Sequence, residues 1–443
     1  MSFDSGGDII SVQRNTPVTE FVPKESEVAV IGTASREAGF RVIAAARTVS
    51  DSVVIPFALG MVYQAMSQYC YARAAPDRLE ILNSPATDDE TVKLQNQRLS
   101  SLPGKIMGLA AYGIWRSVNL PAPFTLDDDG IGLPQLSSTH RWVQLRDPLL
   151  LKQMNEYPVE DIAAWFQRCF EDAIVGFLRA WPFKEKYLCL AGGCALNVLT
   201  NRRILDEKLF DDVFVFPGAS DCGLCVGAAA YASWKLTGKA EFPTNVAALG
   251  LSYSQEQVDA AFNTSGLRPR VYESDEIVVN MTADRIAGGA VVGWHEGPSE
   301  FGPRALGFRS MLADARRADI RDHINFKIKS REWWRPLAPI VLEERASEWF
   351  EIDRPSPYML LAARVRPGYA ERVPGIVHHD GSSRVQTVNE SQNPLMYRLL
   401  RAFEQRTGVP MLLNTSFNTD GEPIVETPED ASARSGVHRW IRW

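Results

Sequence analysis

The sequence predicts an α/β protein of two domains, and three observations predict it. Residues 186–236 run twice through strand, glycine turn and helix, the alternation of layered α/β folds. A polar stretch at 237–248 then interrupts the chain, and a fresh helix–helix–strand pattern starts beyond it. The length, 443 residues, suits two or three domains of about 150 residues each.

In chain order, Ile9–Val12 and 27–32 read as strands. Residues 53–70 are apolar with helical spacing after Pro56, and 73–103 form a polar, Pro-punctuated insertion. Between 159 and 180, Ile162, Ala163, Trp165, Phe166, Cys169, Phe170, Ile174 and Phe177 recur close to i, i+3, i+4, i+7, a helix with one buried face. Lys186–Ala191 is a strand, Gly192-Gly193 its turn, and Cys194–Leu205 the following helix. Val213–Phe216, a Pro-Gly turn and the helix Leu224–Leu236 repeat the unit. Beyond the linker come helices at 254–265 and 275–288, a strand at 289–295 and an Arg-rich stretch.

Lys and Arg number 47 against 54 Asp and Glu, for a net charge of −7. An acidic balance argues against nucleic acid as the main partner but not against a small phosphate ligand held by a local basic cluster. The longest apolar stretch, Val53–Met66, is shorter than the roughly 20 residues of a membrane span and is broken by Pro56 and Gly60. Met1–Asp8 is polar and lacks the basic start of a secretory leader, so the expected compartment is the cytoplasm. Six scattered cysteines make no disulfide framework, and Cys222 and Cys225 read as buried small residues of a Gly/Ala-rich segment.

The loop Ala191–Asn197 joins a strand to a helix. Gly192 and Gly193 let the backbone approach a ligand, and the helix start offers free N–H groups. A tight turn uses glycine anyway, so the two readings weigh about equally. Asp221 on the next such loop and Asp4 in a Gly turn are hard oxygen donors of the kind a metal–phosphate site needs, although Asp221 taken alone reads more readily as a helix cap. The densest chemistry lies between Phe301 and Arg335, with nine basic residues against four acids. Arg304 sits in the turn Ser299–Ser310, and Lys327, Lys329, Arg331 and Arg335 follow. Phe326, Ile328, Trp333 and Trp334 interleave with them, which fits a buried anion site better than a solvated helix face. Arg384 and the strand end Leu412–Asn418, with Ser416 and Asn418, add groups that hydrogen-bond phosphate or ribose. Phosphate-loop, nucleophile-elbow and zinc-type spacings do not occur.

Together these strings closely resemble the NodU/CmcH family of O-carbamoyltransferases. Pro103–Gly113, Ala191–Asn197, Asp221-Cys-Gly, Glu300–Gly307, Lys329–Pro339, Asp380–Val388 and Asn414–Asn418 occur in the family's order. The resemblance implies an actin-like ATPase-type transfer domain over 1–240, related to the threonylcarbamoyl transferase fold, and a YrdC-like domain over 249–443. It implies that the second domain forms carbamoyl adenylate from carbamoyl phosphate and ATP with Mg²⁺. The first then carbamoylates a hydroxyl of a small-molecule acceptor, a sugar or natural product. Arg304, Lys329, Arg335 and Arg384 would be catalytic phosphate partners. Gly192, Gly193, Asn197, Arg331, Ser416 and Asn418 would hold the nucleotide. Asp4 and Asp221 would hold a metal, iron or another divalent ion in intact members. Family members start well upstream of Phe3-Asp4 with a His-x-x-x-His pair, so a truncated transfer half is expected. The alternative is a degenerate nucleotide-binding homologue with impaired transfer. A tRNA-modifying enzyme on the same folds is disfavoured by the acidic charge.

Overall fold

A computed structural model describes residues 8–13, 27–35, 39–48, 59–78, 95, 98–127, 130–134, 136–139, 142–180, 186–239, 247–267, 269–435 and 441–442. The chain divides into two compact units, Met1–Phe242 and Pro243–Trp443.

In the first unit the strands are β1 (Asp8–Gln13), β2 (Glu27–Ser35), β3 (Gly39–Thr48), β4 (Thr125–Asp127), β5 (Gly130–Leu133), β6 (Leu136–Thr139), β7 (Trp142–Leu145), β8 (Tyr187–Leu190) and β9 (Asp212–Val215). Seven of them form a mixed sheet in the order β4-β5-β3-β2-β1-β8-β9, and β6 and β7 pair separately. The helices are α1 (Leu59–Ala74), α2 (Leu102–Leu109), α3 (Pro148–Met154), α4 (Val159–Ala180), α5 (Val198–Asp206) and α6 (Leu224–Thr237). The apolar stripe of α4 is buried as its periodicity predicts, and Phe166 and Phe170 meet the Tyr63 ring of α1 edge-on at 5.3 and 4.9 Å.

Two expectations are corrected here. The helix expected over Cys194–Leu205 is two pieces, a 3₁₀ turn at Gly193–Leu196 and then α5. The break is Asn197, whose extended backbone and side chain cap α5 by accepting from the Thr200 N–H. Cys222 and Cys225 are exposed, not buried. They flank the start of α6, a helix that buries none of its residues and leaves Leu236 86% exposed.

The second unit has strands β10 (Val292–His295), β11 (Arg309–Ala313), β12 (Ala338–Leu342), β13 (Leu361–Arg364), β14 (Ser382–Val388), β15 (Met411–Ser416) and β16 (Ile441–Arg442). They form one mixed sheet, ordered β13-β14-β12-β15-β11-β10-β16. Its helices are α7 (Gln255–Ser265), α8 (Asp275–Ala287), α9 (Pro394–Thr407) and α10 (Pro428–Ser435). Every residue of β10, β11 and β12 is buried, the continuous apolar pattern of strands covered on both faces. Helix α9 shows how local signals set an element. Asn393 caps it, Pro394 opens it, Met396, Leu399, Leu400 and Phe403 face the core, and Gly408 ends it at φ 70°. Among the described residues, no helix is long and apolar enough to cross a membrane.

Candidate anion-binding site

Topology gathers the basic motifs of the second unit at one edge of its sheet. Strand β15 runs antiparallel to both β12 and β11, with Asn414 opposite Ala338 and Ser416 opposite Ser310. Strand β14 runs parallel to β12. The start of β11, the start of β12, the first half of β14 and the end of β15 therefore share one end of the sheet. Arg304 precedes β11, Arg335 precedes β12, Arg384 lies on β14, and Ser416 and Asn418 end β15.

Buried polar side chains hold these segments. A single carboxylate oxygen of Glu300 accepts the backbone N–H groups of Leu306, Phe308 and Arg309 at 2.7, 2.8 and 2.9 Å, closing the turn around Arg304. Gln386 Nε2 donates to the Leu306 carbonyl at 2.8 Å. Asn414 Nδ2 donates to the Ala305 carbonyl at 3.1 Å and to Gln386 Oε1 at 2.9 Å, so the turn is tied down on the sheet. Gly307 takes φ 100°, a conformation that favours glycine, with Ile340 and Met396 both 3.3 Å from where a Cβ would stand. Burial raises the Glu300 carboxyl above its usual range, and the three N–H donors oppose that rise.

Lys329 is buried. Its ammonium donates to the Ser416 carbonyl, to Asn418 O at 3.0 Å and to Asn418 Oδ1 at 2.8 Å, with Ser416 Oγ at 3.1 Å. The structure thus brings the expected Lys329, Ser416 and Asn418 together, with Lys329 bound to the strand end as well as facing the cluster. Burial, reinforced by Arg331 and Arg335, pushes its ammonium well below the ordinary lysine range. Arg331 falls to about 9 through burial and Arg335. Arg304 falls to about 10 through burial and Arg335. Arg384 falls well below its ordinary value through burial and the charges of Arg304, Arg335 and Arg331. At the shared end of the sheet, with Lys329 bound to the end of β15, these like charges act on one another as one cationic cluster. Glu332, 3.4 Å from Arg335, and Asp420 offset only part of that charge. Arg304 Nε, Arg331 Nη2 and Arg384 Nε are buried without a hydrogen-bond partner. Buried N–H groups left open among like charges are the complement of a multivalent anion.

Of the expected residues of the first unit, Gly192, Gly193 and Asn197 share the turn after β8, and Asp221 lies in the loop before α6. Gly192 is buried at φ 92°, ψ 169°, which only glycine adopts readily, and Gly193 has open space where a Cβ would stand. Asn197 is buried in a network. Its amide donates to Gln167 Oε1 at 3.0 Å, and that oxygen also accepts from the Tyr63 hydroxyl at 2.5 Å. Asp221 is exposed at the start of the turn before α6. Asp4 lies outside the described residues. Among the described residues no three His, Cys, Asp or Glu side chains gather where they could hold a metal. Of the two metal ligands that the resemblance implies, Asp221 alone is among the described residues, and no step below is routed through a metal centre.

Sequence reading gives Asn325, Gln386, Asn414 and Glu300 no individual role, although the last three lie in its motifs. A polar amide inside an apolar strand, as in Arg384-Val-Gln-Thr-Val388 and Met411-Leu-Leu-Asn414, was the available signal.

Comparison with known proteins identifies the family. The profile of the carbamoyltransferase N-terminus matches residues 40–230, and that of the carbamoyltransferase C-terminus matches 283–438. An uncharacterised protein of Synechocystis is 36% identical over 377 residues, 74% of this chain and 60% of the relative. Nodulation protein NolO of Bradyrhizobium diazoefficiens is 44% identical over 250 residues, 55% of this chain and 45% of the relative. Nodulation protein NolNO of Sinorhizobium fredii is 38% identical over 350 residues, 74% of this chain and 49% of the relative. The chain spans roughly half the length of these relatives, from 45 to 60%.

Proposed function

Because the chain belongs to the NodU/CmcH carbamoyltransferase family, we propose that its second unit forms carbamoyl adenylate from carbamoyl phosphate and ATP. The observation that carries this is the cluster of Arg304, Lys329, Arg331, Arg335 and Arg384 with three buried N–H groups left open. Two phosphate-bearing substrates need more positive charge than one ion pair supplies, and the cluster supplies it without a matching set of acids.

Water opens carbamoyl phosphate to carbamate and phosphate. A carbamate oxygen then attacks the α-phosphorus of ATP, forming the mixed anhydride and expelling pyrophosphate. Charge moves on to the leaving phosphates, where Arg304, Arg335 and Arg384 neutralise it. Lys329 fixes Ser416 and Asn418, whose oxygens and amide orient the nucleotide. Mg²⁺ would enter with ATP, held chiefly by its phosphates. In the proposed second step a hydroxyl of a sugar or natural product attacks the carbamoyl carbon, loses its proton and displaces AMP. The YrdC-like identity of the second unit and the actin-like identity of the first belong to this same proposal, as do Gly192, Gly193 and Asn197 as nucleotide contacts and Asp4 and Asp221 as metal ligands.

The test is pyrophosphate release that depends on carbamoyl phosphate. Lys329→Ala and Arg335→Ala should each abolish it, because removing a buried phosphate partner costs about 2–5 kcal/mol and about 1.4 kcal/mol is tenfold. Rates like the unsubstituted protein in both variants would overturn the assignment.

A further inference from the structure

Between the short helical turn at Ile320–Asp322 and Lys329, the chain takes one wide π-helical turn, His323–Ile328. Such turns are rare and frequently sit at functional sites. The buried polar residue in this one is Asn325, with no accessible surface. Its Oδ1 accepts from Arg331 Nε at 2.6 Å, and its Nδ2 donates to the Arg335 carbonyl at 3.0 Å. Its own carbonyl accepts the Arg331 backbone N–H at 2.9 Å. One residue thus holds the segment 325–335 at three points.

We infer that Asn325 is the positioning residue for the Arg331–Arg335 pair of the anion site, an inference that rests on the reading above. Engaging Nε fixes the plane of the Arg331 guanidinium while Nη2 stays open. The clasp through the Arg335 carbonyl fixes where the second guanidinium leaves the chain. Both contacts need an amide, one acceptor and one donor on the same group. A carboxylate would accept from Arg331 but could not donate to Arg335, and it would subtract one charge from a cluster that works by excess charge. Neutral Asn325 orients the arginines without discharging them.

This predicts that stability and binding separate. The probe is pyrophosphate, titrated calorimetrically into the full chain, with thermal melting measured in parallel. Asn325→Ala should weaken pyrophosphate binding at least tenfold. In the double variant with Arg331→Ala it should cost less than it does alone, because part of its effect passes through that guanidinium and part through the Arg335 clasp. Asn325→Asp should melt at or above Asn325→Ala, since it forms a buried ion pair with Arg331, yet bind pyrophosphate at least as weakly. Binding that simply follows melting temperature across the two variants would overturn the inference, as would full affinity in Asn325→Ala. If the unsubstituted chain itself does not bind pyrophosphate, the anion-site reading fails first and this inference falls with it.

Discussion

His295 shows how one buried side chain ties the second unit to solution pH. It lies at the end of β10, 4% exposed, with its Nε2–H donating to the Glu426 carbonyl at 3.1 Å. The ring faces Arg309, Asp430 and, at 6.1 Å between centroids, Tyr253. Burial first, and the Arg309 charge second, push its pKa down to about 4 from the ordinary 6.5. Between those values the unfolded chain binds a proton that the folded chain refuses. Stability therefore falls as pH drops through 6.5, and the loss is complete below about 4. At about 1.4 kcal/mol per pH unit of difference the full loss is roughly 3 kcal/mol. Urea unfolding at pH 7 and pH 5 should show it, and His295→Gln, which cannot titrate, should show less of it. Equal acid sensitivity in the two proteins would place the effect elsewhere.

At the scale of the element, the turn between β8 and α5 separates a glycine the fold needs from one that a ligand could need. Gly192 adopts φ 92°, and a side chain there would cost about 1–3 kcal/mol of strain. Gly193 has room for a Cβ. Gly192→Ala should therefore lower the melting temperature, while Gly193→Ala should leave it within experimental scatter. If Gly193→Ala also leaves ATP binding unchanged, the nucleotide role proposed for this turn is lost. The same turn shows what was legible in the sequence. Strand β8 and helix α4 announce themselves through apolar periodicity, because each buries one face. The break at Asn197 does not, because its side chain is held by Gln167, which Tyr63 holds in turn, and both are distant in sequence. The π-helical turn is equally silent, since its cause is the three-point clasp of Asn325 on residues up to ten positions away. The arginines could be listed from the sequence, but their convergence could not, because it follows from the antiparallel placing of β15 beside β12 and β11.

For the molecule as a whole, the second unit has an apolar core of its own, with Trp294, Trp349, Phe350, Phe403 and Phe417 all inaccessible to solvent. It also contains the entire cationic cluster. Confining four guanidinium groups and an ammonium with few acids opposes folding, and a bound anion relieves that opposition. A ligand that binds only the folded form stabilises it by about 2.7 kcal/mol at a hundred times its dissociation constant. For a domain of this size each kcal/mol moves the melting temperature by about 2–4 °C. Pyrophosphate should therefore raise the melting temperature of Pro243–Trp443, expressed alone, by roughly 5–10 °C. Sodium chloride at matched ionic strength should not, because screening acts weakly on buried charges and a single chloride cannot bridge several guanidinium groups. Arg384→Ala should reduce the rise, since it removes one of the open N–H groups. A segment that folds cooperatively but melts at the same temperature with and without pyrophosphate would show that the cluster is no anion site. A segment that does not fold would show that the core of the second unit is insufficient without the first.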